Sequence, residues 1–124
     1  MELRYFTSSE FDSPDVPGSG AGMQRAFLLW VDYLRHLWGK PIRVSKGGGF
    51  RTPEHNVAVG GKPDSAHLRG WAGDLDTTTL EEAIRLVCLA RDQGCRRTGV
   101  SLTGRFVHVD LDPKRPRAAV WFYP

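Results

Sequence analysis

The longest unbroken apolar runs in this chain, Ala26–Val31 and Ala118–Tyr123, are six residues each. A helix that crosses a bilayer needs about 20 apolar residues, so no transmembrane helix is expected. The core must instead come from helices and strands that each carry one apolar face. The length of 124 residues suits one ordinary domain, residues 1–124. A composition 40% apolar and 25% charged excludes a disordered or collagen-like chain. The first residues, Met1 to Ser8, have no apolar stretch and no small-residue cleavage site, so no secretory signal peptide is expected.

Periodicity supplies the elements. Met23, Phe27, Trp30, Leu34, Leu37 and Trp38 recur at helical steps up to Gly39 and predict an amphipathic helix. The breaker-rich stretch before it, residues 12–22, reads as an ordered loop. Pro41–Ser45 alternates like a strand and runs into Gly47-Gly48-Gly49, where backbone can bend tightly or approach a ligand. Thr52 followed by Pro53 opens a short helix that stops at Gly60-Gly61. Trp71–Asp76 reads as a strand. Thr79-Leu80-Glu81-Glu82 is a capping box, after which Leu80, Ala83, Ile84, Val87, Cys88 and Ala90 carry a helix to Gly94. Val100–Leu102 and Arg105–Leu111, joined by Thr103-Gly104, give a hairpin signal. The tail Val120–Tyr123 is apolar enough to need docking on the body. This order implies an α+β domain, a small antiparallel sheet with helices packed on it. Cys88 and Cys95 form no CxxC pair; Cys88 is expected in the core and Cys95 as a free thiol near the surface.

Charge narrows the partners only slightly. Lys plus Arg minus Asp plus Glu is 17 − 14 = +3, which suits attraction to a polyanion, nucleic acid or an acidic cell-wall polymer alike. Nucleic-acid binding would call for a denser basic stripe than Lys114-Arg115-Pro116-Arg117.

Of the four histidines, His36 reads as a helix-face residue and His55 as a locally bonded first-turn residue. His67 differs, because Asp74 follows seven residues later with Gly70 between them to turn the chain. An imidazole and a carboxylate are two of the three protein ligands of a catalytic zinc site. His108, on the strand Phe106–Asp110 with Asp110 on its own face, is the candidate third. On spacing alone the same residues also read as two loop residues and a satisfied core histidine.

The whole chain, however, resembles the zinc D-alanyl-D-alanine carboxypeptidase family, which includes L-alanyl-D-glutamate endolysins, vancomycin-resistance dipeptidases and, in fold, the hedgehog signalling domain. Ser65, His67, Gly70, Ala72 and Asp74 meet the family pattern S-x-H-x-x-G-x-A-x-D at every specified place. Gly49-Phe50-Arg51-Thr52-Pro53-Glu54-His55-Asn56 is similar to the family's Gly-Tyr-Arg-Ser/Thr-Pro-x-x-Asn block. Phe106–Asp110 resembles the Phe-Val-His-Val/Ile-Asp strand of its small, single-domain branch. Ser9-Glu10-Phe11 and Trp121 also fall where short bacterial and phage members have similar residues.

The resemblance implies zinc held by His67, Asp74 and His108, with water in the fourth position and Arg51 facing the substrate. Ser65 would either bond the site or substrate, or cap its loop. Larger relatives carry a general-base carboxylate three residues before the last zinc histidine; here that residue is Arg105, which cannot take a proton at neutral pH. Asp110 is the nearest substitute, or else a carboxylate that orients His108. Gly48 stands where relatives usually have serine. The expected function is a zinc metallopeptidase cutting amide bonds next to D-amino acids in bacterial peptidoglycan, acting as carboxypeptidase or endopeptidase. The alternative is a non-catalytic, zinc-containing module that binds the cell wall or a protein. Stem peptides are the expected partners, with no nucleic acid or membrane, and the expected state is a monomer. Without a signal peptide, the protein would be released by lysis, carried in a phage particle or exported by another route.

Overall fold

The computed structural model describes residues 2–124; Met1, the first residue of the expected domain, lies outside them. Three helices, α1 (Arg25–Trp38), α2 (Pro53–Ala58) and α3 (Leu80–Asp92), accompany four strands, β1 (Ala72–Asp76), β2 (Arg97–Ser101), β3 (Phe106–Asp110) and β4 (Ala119–Tyr123). Short 3₁₀ turns occupy Ser8–Phe11, Ser19–Gly22 and Ala66–Arg69.

The helices form where caps and periodicity agree. Thr52 Oγ1 accepts the His55 N–H at 3.1 Å and starts α2, with Pro53 in its first turn. Thr79 Oγ1 accepts the Glu82 N–H at 3.1 Å and starts α3. The Glu82 carboxylate reaches back one residue further than a capping box requires, to the Thr78 N–H at 3.0 Å. α1 turns Phe27, Leu28, Val31 and Leu34 inward, while Leu37 on the expected stripe stays exposed. The buried Asp32 on the same helix accepts the Arg4 and Tyr5 N–H groups at 3.0 and 2.9 Å, which docks the N-terminal segment.

The phase of α3 corrects two expectations. Ala83, Leu86, Val87 and Ala90 face the core, so Leu80, Ile84 and Cys88, one turn apart along the other side, are exposed. Cys88 is therefore the surface thiol. Cys95 is the buried one: after Gly94 the chain turns back into the sheet, where the Cys95 thiol donates to the Arg97 carbonyl at 3.2 Å. Burial pushes that thiol up to about 11.

The sheet runs β1-β3-β2-β4. β1 with β3 and β3 with β2 are antiparallel, but β4 is parallel to β2, so the sheet is mixed rather than antiparallel as expected. Segment 111–118 passes the start of β2 and sets β4 beside β2 instead of β3. Running opposite to β3, β4 must then run along β2. Pro41–Ser45 forms only the bridge Val44↔Leu75 rather than a strand. Pro41 has no N–H for a ladder, and the chain leaves the sheet at Gly47.

Alternation divides the sheet into two faces. Leu75, Val107, Val109 and Val100 point into the core shared with Phe11, Phe27, Leu34 and Leu86. The intervening residues point the other way. In the ladder register Asp74 pairs with His108, His108 with Gly99, and Gly99 with Trp121, a single row across all four strands.

Candidate metal centre

His67 reaches the Asp74–His108 row from the 3₁₀ turn Ala66–Arg69. Ser65 caps this turn, its Oγ accepting the His67 N–H at 3.2 Å. Gly70 follows with φ 75°, a left-handed conformation that sends the chain straight into β1. A Cβ there would also stand 2.3 Å from the Gly22 carbonyl. The turn is thus what brings a loop histidine over a strand aspartate.

Donor atoms of His67, Asp74 and His108 all lie within 4.8 Å of one another. His67 Nδ1 bonds the Gly49 carbonyl at 2.9 Å, which leaves Nε2 facing Asp74 Oδ1 at 3.5 Å. His108 Nε2 bonds Asp110 Oδ2 at 2.9 Å, which leaves Nδ1 2.9 Å from the same Asp74 oxygen. Each imidazole therefore has one nitrogen held by a carbonyl or carboxylate and the other directed at a shared point. Two nitrogens and one carboxylate oxygen, with their outer nitrogens bonded in this way, fit a zinc ion.

Without metal, His108 Nδ1 and Asp74 are joined by a hydrogen bond. Burial alone would lower the His108 pKa, but its bonds to Asp110 and Asp74 push it up to about 9. Burial works to raise the Asp74 carboxyl, and His67 and His108 outweigh it, holding the group well below the ordinary carboxylate range. Asp110 is also lowered against its burial, by His108 and by Arg97.

The loop 45–51 supports this row. Ser45 N–H donates to the Asp74 carbonyl at 2.9 Å, and Asp74 N–H donates to the Gly48 carbonyl at 2.7 Å. A Cβ on Gly48 would stand 2.8 Å from Asp74 Cβ and 3.1 Å from Ser45 Cβ. As this loop packs, a serine at position 48 would require the loop or Asp74 to shift.

The cleft around the row has a volume of about 670 Å³. Arg51 stands at its edge, with Nη2 3.7 Å from Asp74 Oδ2, Nη1 3.3 Å from Asn56 Oδ1 and Nε 3.3 Å from the Gly47 carbonyl. Asn56, buried in α2, is a residue that sequence reasoning gave no role, although it lies inside the Arg51 block. Its amide also donates to the Lys62 carbonyl at 2.9 Å and so ties Arg51 to the cleft loop. Ser65 lines the cleft as well as capping its turn.

Asp110 lines the cleft, but both of its oxygens are already engaged. One oxygen receives His108, and the other receives Arg97 Nε at 3.1 Å and the Asp112 N–H at 3.3 Å. Arg97, unremarked in the sequence, also lies over the Trp121 ring at 5.2 Å. Arg105 is exposed in the hairpin turn and does not line the cleft. His36 bonds the Tyr5 hydroxyl at 2.8 Å and His55 lies in α2; neither joins the cluster.

No helix among the described residues is long and apolar enough to cross a membrane. No curated protein matches the chain. A family model described as Peptidase M15 matches residues 5–110, a span that takes in Arg51, His67, Asp74, His108 and Asp110. With that match and a donor set suited to the metal these enzymes use, the chain belongs to the Peptidase M15 family of zinc-dependent peptidases.

Proposed function

We propose that this protein is a zinc peptidase that hydrolyses amide bonds next to D-amino acids in the stem peptides of peptidoglycan. The observation that carries the reading is the convergence of His67, Asp74 and His108 in an open cleft with Arg51 at its edge. A zinc ion there would polarise the scissile carbonyl and acidify a water molecule toward a pKa of about 7. The chain's own residues do the rest. Gly49 and Asp110 hold the two imidazoles in the tautomers that leave one lone pair each for metal. Asn56 and the Gly47 carbonyl hold the Arg51 guanidinium at the cleft, where its fork suits a substrate carboxylate. Lys62 adds positive charge to the same walls, which suits stem peptides with free carboxylates, while Arg115 there is paired with Asp64.

A second reading is favoured by one observation: the residue three before His108 is Arg105 and not a carboxylate. Arg105 is outside the cleft and both oxygens of Asp110 are engaged. A positioned base contributes typically about 10²–10⁴-fold, so a zinc-holding module that binds wall peptides without cutting them is the competing reading. Purified protein loaded with zinc and incubated with isolated cell walls separates the two. Released stem-peptide fragments, found by mass spectrometry and absent after chelation, support the peptidase. Bound but intact peptides support the module.

A further inference from the structure

Amide hydrolysis puts negative charge on the carbonyl oxygen as water adds to the carbon, and a donor fixed at that oxygen in a sheltered cleft lowers the barrier. Arg51 and the cleft loop form one wall. The opposite wall is β4, residues 119–123, which lies beyond the residues matched by the family. Trp121 shares the row of Asp74, His108 and Gly99, and Tyr123 is the next residue on that face.

Both rings lean across β2 toward the centre. A Cβ on Gly99 would stand 2.5 Å from Trp121 Nε1 and 2.7 Å from the Tyr123 ring, so only glycine leaves them room. The Trp121 ring lies 5.2 Å from that of His108, and the Tyr123 ring lies 5.0 Å from that of Phe106 on the strand carrying His108. Tyr123 thereby lines the same cleft as Arg51, His67 and Asp74. A tyrosine hydroxyl, with an ordinary pKa of about 10, keeps its proton at neutral pH; burial raises it further, against the bond from Trp121, which lowers it.

We infer that the Tyr123 hydroxyl is a catalytic hydrogen-bond donor, holding the oxygen of the scissile carbonyl as it gains charge, and that Gly99 is the opening that seats it. Tyr123 returns no proton to the reaction. The water's hydroxyl joins the carbonyl carbon, the C–N bond pair goes to nitrogen, and the water's other proton follows it there. The inference rests on the peptidase reading and adds a residue to it.

Tyr123→Phe keeps the ring on Phe106 and over Gly99 and removes only the hydroxyl. The expected result is unchanged zinc content and melting temperature, kcat about 10²-fold lower and KM near that of the wild type. By calorimetry, a dipeptide phosphinate, with a tetrahedral anion in place of the amide before D-alanine, binds more weakly by about the same factor. Gly99→Ala reproduces both losses with zinc retained. Wild-type kcat and wild-type phosphinate affinity in Tyr123→Phe overturn the inference. If the wild type cuts no wall peptide, the peptidase reading fails by itself, and the phosphinate still decides: weaker binding to Tyr123→Phe supports the donor, while equal binding, or none to the wild type, overturns it.

Discussion

The two faces of the sheet are made from the same few strands, and adjacent residues on them do opposite work. Leu75 and Val107 are completely buried among apolar side chains. Asp74 and His108, their chain neighbours, carry charge and polar bonds toward a cleft. A fold can hold a buried imidazole between two carboxylates only if the opposite face supplies the cohesion, because desolvating such groups is itself unfavourable. The comparison teaches that stability and chemistry are separable here by a single step along a strand.

Substitutions at neighbouring positions should break that separation if it is wrong. His67→Ala removes one of the three proposed zinc donors and is expected to abolish stoichiometric zinc binding and reduce hydrolysis to background. Leu75→Ala is expected to cost about 2–5 kcal/mol of stability, with zinc content and activity per folded molecule unchanged. Denaturant titration and metal analysis of both variants check the pair. A Leu75→Ala protein that folds but no longer holds zinc would show the two faces to be coupled.

A smaller effect sharpens the site face itself. Asp110→Asn removes a carboxylate that orients His108 and is expected to weaken zinc binding about 10–100-fold while sparing the fold. In the metal-free protein the pKa of His108 is raised from 6.5 to about 9. Its protonated form therefore stabilises the fold fully below about pH 6.5, and that contribution is lost as the pH rises through about 9. Zinc requires the neutral ring, so below that pH binding must expel a proton, and affinity should fall about tenfold per pH unit toward neutrality. Calorimetry in buffers of different ionisation enthalpy reads the proton directly. Asp110→Asn, with one carboxylate fewer on His108, should release less of it at neutral pH.

Much of this architecture is legible in the amino-acid sequence. α1, α2, α3 and the β2–β3 hairpin follow from local periodicity and from caps at Thr52 and Thr79 whose bonds are present, although β2 begins at Arg97, three residues before the expected Val100. The meeting of His67, Asp74 and His108 was legible from Gly70 and from the ordered motifs. What stayed hidden depends on where segments go after they turn. The parallel placement of β4 is decided by segment 111–118 passing β2, and the exchange of Cys88 and Cys95 by the phase of α3 and the turn at Gly94. Arg97 is a single cation in a strand, and its bond to Asp110 exists only through sheet register. Tyr123 had one available signal, its two-residue spacing from Trp121.

The most direct test is an anomalous-difference map at the zinc edge from a crystal of the zinc-loaded protein. The account predicts one peak per chain, bonded to His67 Nε2, an Asp74 oxygen and His108 Nδ1, with the side toward Arg51 open to solvent. A peak at other residues, or none in protein that has kept its fold, would contradict it.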